Sequence, residues 1–166
     1  MPISGVDIVV SDAGPLISLG RLNLLSLLPA LFTQVQVPQQ VLAECLARPE
    51  QADTVRAMAA LEAGWLQVCV AVPLSEPAEL GLGERAAIGR ALEIGAGLLA
   101  DDFGARHYAR AHGLAVMGTL GVLVIAKRAG HIGRIAPLIE QLRAGGQRLS
   151  QAAVADALAM AGESPP

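Results

Sequence analysis

The sequence predicts an α/β fold of three layers, with helices on both faces of a mostly parallel central sheet. Three observations predict it. Short aliphatic runs such as Ile8-Val9-Val10 and Leu98-Leu99-Ala100 alternate with stretches of helical apolar spacing, and strands alternating with helices close into a parallel sheet. Hydrophobic residues make up 53% of the 166 positions against 16% charged, a balance that suits strands buried on both faces and excludes disorder. Two of the runs stop on aspartate, at Ser11-Asp12 and at Ala100-Asp101-Asp102. Parallel strands would bring those carboxylates to one carboxyl edge, where open α/β sheets place ligand sites.

The elements follow in order. A first strand over residues 7–11 ends at Ala13-Gly14-Pro15, and Pro15 starts a short helix carrying Leu16, Ile17 and Leu19, because proline's fixed φ suits a first helical turn. Asn23 reads as the N-cap of a helix to Leu31 that Pro29 bends or shortens. Residues 34–37 alternate as a brief strand, and Pro38 opens a helix through Val41, Leu42, Cys45 and Leu46. A helix over 52–62 ends near Gly64, and 65–72 reads as a strand. Residues 73–80, with two prolines and two glutamates, form the clearest exposed loop.

Gly81-Leu82-Gly83 leads into a helix reaching Ile94, residues 95–97 turn the chain, and 98–100 form the second aspartate-ended strand. Helix is expected over 103–112, a last strand over 115–118, and apolar helices over 119–129 and 132–143. Ser150 caps a final helix to Ala161, and 162–166 read as a frayed tail. At this length residues 1–161 form one domain, and no internal repeat is visible.

Twelve cations against fifteen acids give a formal charge of −3, which argues against gripping nucleic acid through overall positive potential. With Asp12, Glu44, Glu84, Asp101 and Asp102 set aside, twelve cations face ten acids. Arginine far outnumbers lysine among them, and guanidinium forks suit phosphate oxygens. Cys45 and Cys69 lack metal-ligand spacing, so neither a disulfide framework nor zinc is expected, and a reducing cytoplasm fits. Residues 1–10 lack the basic start and apolar core of a signal peptide. The uncharged stretch 113–126 has only 14 residues, short of the about 20 needed to span a bilayer; no membrane is expected.

The acidic residues are the candidates for chemistry. Glu84 heads a helix whose apolar positions Ala87, Ile88, Ala91 and Leu92 fall three, four, seven and eight residues on, a stripe that aims Glu84 at the sheet; its bland role is a first-turn glutamate favoured by the helix dipole. Glu44, three residues after Val41, stands on the margin of its helix's apolar face. Asp12 before Gly-Pro also suits a turn, and Asp101 or Asp102 also suits a helix cap. Four separated acids without a histidine motif fit Mg²⁺ or Mn²⁺, which prefer oxygen ligands, rather than zinc. Thr119, ending the last strand, is placed to hydrogen-bond a metal water or to cap a helix. Arg106 and Arg110, four apart on one helix face, are candidates to grip an RNA backbone, with a solvated face as the alternative. Lys127 and Arg128 suit a helix carboxyl end. His107, His112 and His131 carry no catalytic spacing, and with only Phe32, Trp65, Phe103 and Tyr108 as aromatics no stacking platform for bases is expected.

In their order and spacing, Val10-Ser11-Asp12-Ala13-Gly14-Pro15-Leu16-Ile17, Val37-Pro38 through Val41 to Glu44, Leu82-Gly83-Glu84 with Ala87, Asp101-Asp102 with Arg106, and Gly118-Thr119-Leu120-Gly121 resemble PIN-domain nucleases, and within them a bacterial and archaeal PIN-like branch. The resemblance runs over 8–149. It implies a metal-dependent ribonuclease, often the toxin half of a toxin-antitoxin pair, with Asp12, Glu44, Glu84 and one of Asp101 and Asp102 as the acidic site. On that footing the carboxylates hold one or two Mg²⁺ or Mn²⁺ ions that activate water against an RNA phosphodiester; Asp101, directly after its strand, is the preferred ligand, and Asp102 a second ligand or an orienter. The chain departs from the commonest PIN pattern in carrying glutamate at position 84, where aspartate is usual, and in its adjacent aspartates. The partners expected are RNA and an antitoxin protein; the apolar helices at 119–129 and 132–142 would supply a face for a second copy, or are explained equally well by burial within the monomer.

Three other readings compete. Gly81-Leu82-Gly83-Glu84-Arg85-Ala86 matches a dinucleotide-binding pattern, but the loop 73–80 separates it from the strand that the motif must follow. A phosphoacceptor domain needs its acidic pair after the first strand, and the order here is reversed. The third is a catalytically weak or inactive PIN-fold module that binds RNA or protein.

Overall fold

The computed structural model describes residues 7–165. The parts of the single-domain and leader expectations that fall on residues 1–6, and the last residue of the tail, lie outside them. Five parallel strands form one sheet in the order β3-β2-β1-β4-β5: β1 (Ile8–Ser11), β2 (Gln34–Pro38), β3 (Gln67–Cys69), β4 (Gly97–Leu99) and β5 (Val116–Met117). Nine helices connect and cover them among the described residues: α1 (Ala13–Arg21), α2 (Leu27–Leu31), α3 (Gln39–Cys45), α4 (Ala52–Glu62), α5 (Leu82–Ile94), α6 (Phe103–Ala111), α7 (Thr119–Arg128), α8 (Ala136–Ala144) and α9 (Gln151–Met160). The three-layer α/β/α architecture expected from the sequence is the one observed.

Burial explains why the central strands read as continuous apolar runs. Val9, Val10, Leu98 and Leu99 are fully buried, as residues of a parallel strand covered on both faces must be. Edge strand β3 differs, leaving Val68 exposed, and Val70 and Val72 just beyond it are exposed too. It pairs only with Gln36, Val37 and Pro38 of β2, so the ladder expected over 65–72 stops where β2 stops.

Three boundaries depart from the sequence reading, each for a local reason. Asn23 is not an N-cap: with φ of 56° it takes the left-handed position after α1, while the N–H groups of Asn23 and Leu24 donate to Gly20 O and Leu19 O at 3.1 and 2.8 Å, a helix-ending pair that asparagine tolerates. Helix α2 consequently starts only at Leu27, which leaves Pro29 in a first turn where its missing N–H is not needed. Helix α8 starts at Ala136 rather than 132, because Pro137 would lack an obligatory donor inside a longer helix and is tolerated in the first turn.

The C-terminal segment is anchored where a frayed tail was expected. The Glu163 side chain is 4% exposed and pairs with Lys127 Nζ at 2.7 Å. It also accepts the N–H groups of Ile135 at 2.7 Å and Ala136 at 3.0 Å. Glu163 thereby supplies from a distance the N-terminal cap that Ile135, at the N-cap of α8, cannot supply itself. Arg128 donates to the carbonyl of Met160 at 2.7 Å, so it does serve a helix carboxyl end, that of α9.

Candidate active site

Strands β1 and β4 lie side by side at the centre of the sheet, and the chain leaves them in opposite directions, toward β2 and β3 on one side and β5 on the other. Such a reversal opens a crevice beyond the carboxyl ends of the two strands. Ser11 stands in register with Leu99, and the Asp12 N–H donates to Leu99 O at 2.8 Å. The sheet ladder itself thus sets the position of Asp12, and Asp101 follows two residues after the end of the adjoining strand.

Asp12 occupies the N-cap position of α1 yet makes no cap bond. It is 6% exposed, and its Oδ1 has no hydrogen-bond partner among the described residues. Burial above all pushes its carboxyl up to about 7, with the charges of Glu84, Glu44 and Asp101 adding to it and the backbone of Ala13 easing it. A buried carboxylate that neither caps nor pairs must keep a proton or meet a cation.

Asp101 is half-buried, and Thr119, the first residue of α7, holds both its oxygens: the Thr119 N–H donates to Oδ1 and the hydroxyl to Oδ2, each at 2.7 Å. The loops around it must be thin. A Cβ on Gly118 would stand 2.9 Å from Asp101 Oδ1, and one on Gly14 would stand 3.3 Å from Oδ2.

Glu84 lies in the first turn of α5, half-buried. The sequence stripe aims it at the sheet, but its carboxylate accepts the Gly81 N–H at 2.9 Å, which is one arm of a capping box; glycine offers no side-chain oxygen for the other. Its charge still reaches Asp12 and Glu44. Glu44 stands at the exposed rim on α3, where partial burial raises its pKa, the backbone of Gly83 lowers it and Glu84 raises it again. The Glu44 carboxylate lies where a Cβ on Gly83 would sit. Gly83→Ala is therefore expected to leave the fold intact, since alanine favours the helix by about 1 kcal/mol and the displaced group is the end of a flexible side chain. It should weaken Mn²⁺ stabilisation of the protein by pushing Glu44 off the rim, as a melting scan with and without the ion would show.

Asp102 is exposed, and its Oδ2 accepts the Ala105 N–H at 2.9 Å, capping α6. Of the five acids singled out in the sequence, Glu44, Glu84 and Asp101 act through their charge on the buried Asp12, while Asp102 faces the helix it caps. The donors are carboxylates alone, one of them buried with an orphaned oxygen. This set fits a hard divalent cation such as Mg²⁺ or Mn²⁺, which takes one or two carboxylates directly and keeps several waters. Among the described residues no three His, Cys, Asp or Glu side chains stand close enough together to hold a metal ion between them, so a bound ion would take one or two carboxylates and water.

Beside Asp101 opens a cleft of about 720 Å³ bordered by Asp102, Arg106, Arg110 and Arg148. Arg106 is half-buried, and burial together with Arg110 lowers its pKa while Asp101 opposes them; Arg110 is exposed. Arg148 escaped the sequence reading because it lies in the link between α8 and α9, where no periodicity points to it. That link is tied to α1 by the Ser18 hydroxyl, which donates to Gln147.

A family model described as DUF3368, a PIN domain, matches residues 8–163. The chain belongs to the PIN-domain family. Among solved structures, a PilT N-terminus domain protein, SSO1118, from the hyperthermophilic archaeon Sulfolobus solfataricus P2 is similar in fold, with a TM-score of 0.52 and 17% identity over 76% of this chain and 95% of the other. No curated protein matches the chain. PIN domains are in general nucleases and typically use divalent metals. In this PIN domain no helix among the described residues is long and apolar enough to cross a membrane.

Proposed function

We propose that this PIN domain is an Mg²⁺- or Mn²⁺-dependent endoribonuclease. One observation carries the reading: the buried Asp12, with its orphaned oxygen, stands at the sheet's reversal point within the field of Glu44, Glu84 and Asp101. A bound divalent ion would supply positive charge that acidifies water and offsets charge developing on the phosphate. Asp12 and Asp101 would hold it, with Glu44 and Glu84 at the rim. Thr119 fixes the orientation of the Asp101 carboxylate through its two hydrogen bonds, and Arg106, Arg110 and Arg148 would hold the RNA backbone along the cleft.

The test compares Asp101→Asn with Asp102→Asn on labelled RNA in the presence of Mn²⁺. Asp101→Asn is expected to lose cleavage by about a hundredfold or more, the scale of removing a group aimed at developing charge. Asp102→Asn should cleave within about threefold of wild type, because asparagine caps a helix as well as aspartate. Equal cleavage by all three proteins would trace the activity to a contaminant. One observation favours a second reading, an RNA-binding module that does not cut: the Glu84 carboxylate is already engaged by the Gly81 N–H. Binding of RNA without cleavage under any divalent ion would establish that reading instead.

A further inference from the structure

The aromatic residues were expected to offer no stacking platform, yet Phe103 is 83% exposed. It is the first residue of α6, directly after Asp101-Asp102, and it borders the same cleft as Arg106, Arg110 and Arg148. The core contacts of α6 are made by Ala105 and Ala109, which are buried, so the Phe103 ring adds nothing to packing. His107, one turn further on, lies nearly parallel to it, with 14° between the planes and 6.0 Å between the centroids. The helix thereby presents two aligned rings, of which Phe103 borders the cleft beside Asp101.

We propose that Phe103 is the stacking platform for an unpaired base of an RNA strand whose phosphates run along Arg106, Arg110 and Arg148. The inference rests on the ribonuclease reading and adds to it the residue that engages a base. Three guanidinium groups bordering one cleft attract a polyanion, and a ring beside them offers the π-face that every base can use. The cleft also carries Ile17, Leu120 and Leu149, but three guanidinium groups beside the ring favour a polyanion over a protein, since interface cores are poor in charge. A platform at the edge of the crevice would also fix which phosphate reaches Asp12 and Asp101.

The experiment measures binding by fluorescence anisotropy in an Asp12→Asn background, so that the probe is not consumed. Two probes of about twelve nucleotides are used, an RNA with bases and an abasic backbone of equal length. Phe103→Ala is expected to weaken the base-bearing probe about tenfold or more, the scale of one lost base stack, and to leave the abasic probe unchanged. Phe103→Trp should restore binding. Arg148→Ala should weaken both probes alike, because it acts on phosphates. The melting temperature of Phe103→Ala should match that of its parent, as expected at an exposed position. If Phe103→Ala keeps full affinity for RNA, or weakens both probes equally, the platform is overturned while the nuclease reading stands. If the parent binds neither probe, both fail. If Phe103→Ala keeps RNA affinity but loses self-association in gel filtration, the ring belongs to a protein contact and the proposal is overturned.

Discussion

Asp12→Asn should melt at a higher temperature than wild type in metal-free buffer at about pH 8, while losing both RNA cleavage and the stabilisation that Mn²⁺ gives the wild type. The sign follows from linkage. Burial and the neighbouring carboxylates raise the Asp12 carboxyl from its ordinary 3.8 to about 7, so between those values the folded chain holds a proton that the unfolded chain has released. Native stability therefore falls as pH rises from about 4 to about 7, by at most about 4 kcal/mol at about 1.4 kcal/mol per unit. Asparagine removes that penalty but still buries an amide, so the expected gain is about 1–2 kcal/mol, or about 2–8 °C for a domain of this size. Mn²⁺ must displace the Asp12 proton, and the stabilisation it gives the wild type should be larger at about pH 8 than at about pH 5.5. At a concentration a hundred times its Kd the ion is worth about 2.7 kcal/mol. A mutant whose melting point responds to Mn²⁺ as the wild type does would remove Asp12 from the metal site.

Glu163→Ala should be the most destabilising change far from the crevice. It leaves the N–H groups of Ile135 and Ala136 without an acceptor and Lys127 without its partner. Unpaired groups of this kind cost about 1–3 kcal/mol each when buried, and Lys127 is partly exposed, so the total is set at about 2–4 kcal/mol, or about 4–16 °C. Burial alone would raise the Glu163 pKa, but Lys127 and the two backbone donors outweigh it and hold the carboxyl down to about 2. A depressed carboxyl stabilises the fold fully above its unfolded value of 4.5 and loses that contribution as pH falls from 4.5 toward 2. The wild type should show this acid limb in a series of melting scans, and Glu163→Ala should lack it. Glu163→Gln, which keeps an acceptor but no charge, should fall between them. An unchanged acid limb in Glu163→Ala would show that Glu163 does not anchor the tail.

What the sequence disclosed about the site follows from strand period and strand ends. Two apolar runs that stop on aspartate suffice to place Asp12 and Asp101 once the strands are parallel, because the ladder carries their positions. Glu84 was read from a stripe on its helix, but a first-turn glutamate also has an N–H within reach, and the Gly81 donor claims it. Asp102 is the mirror case: the two adjacent aspartates divide into a ligand candidate and a cap because only one residue can stand where α6 begins. Arg148 and Glu163 were invisible for a common reason. Arg148 borders a cleft from a connecting segment and Glu163 bonds α8 from a terminal one, and neither period nor motif encodes such a placement. Counting aromatic residues likewise hid Phe103, since four rings in 166 residues suggest no stacking platform, and a count does not show that one ring stands exposed beside the cleft.

The dependence of α8 on Glu163 has a consequence for biosynthesis. Ile135 leaves the ribosome 28 residues before the carboxylate that receives its N–H, an interval of roughly 1–6 s at about 5–20 residues per second. During that interval α8 has formed no cap, and Lys127 carries an unneutralised charge against it. A translational pause within this stretch would lengthen the life of that half-closed nascent chain, and rare codons there should raise its capture by chaperones.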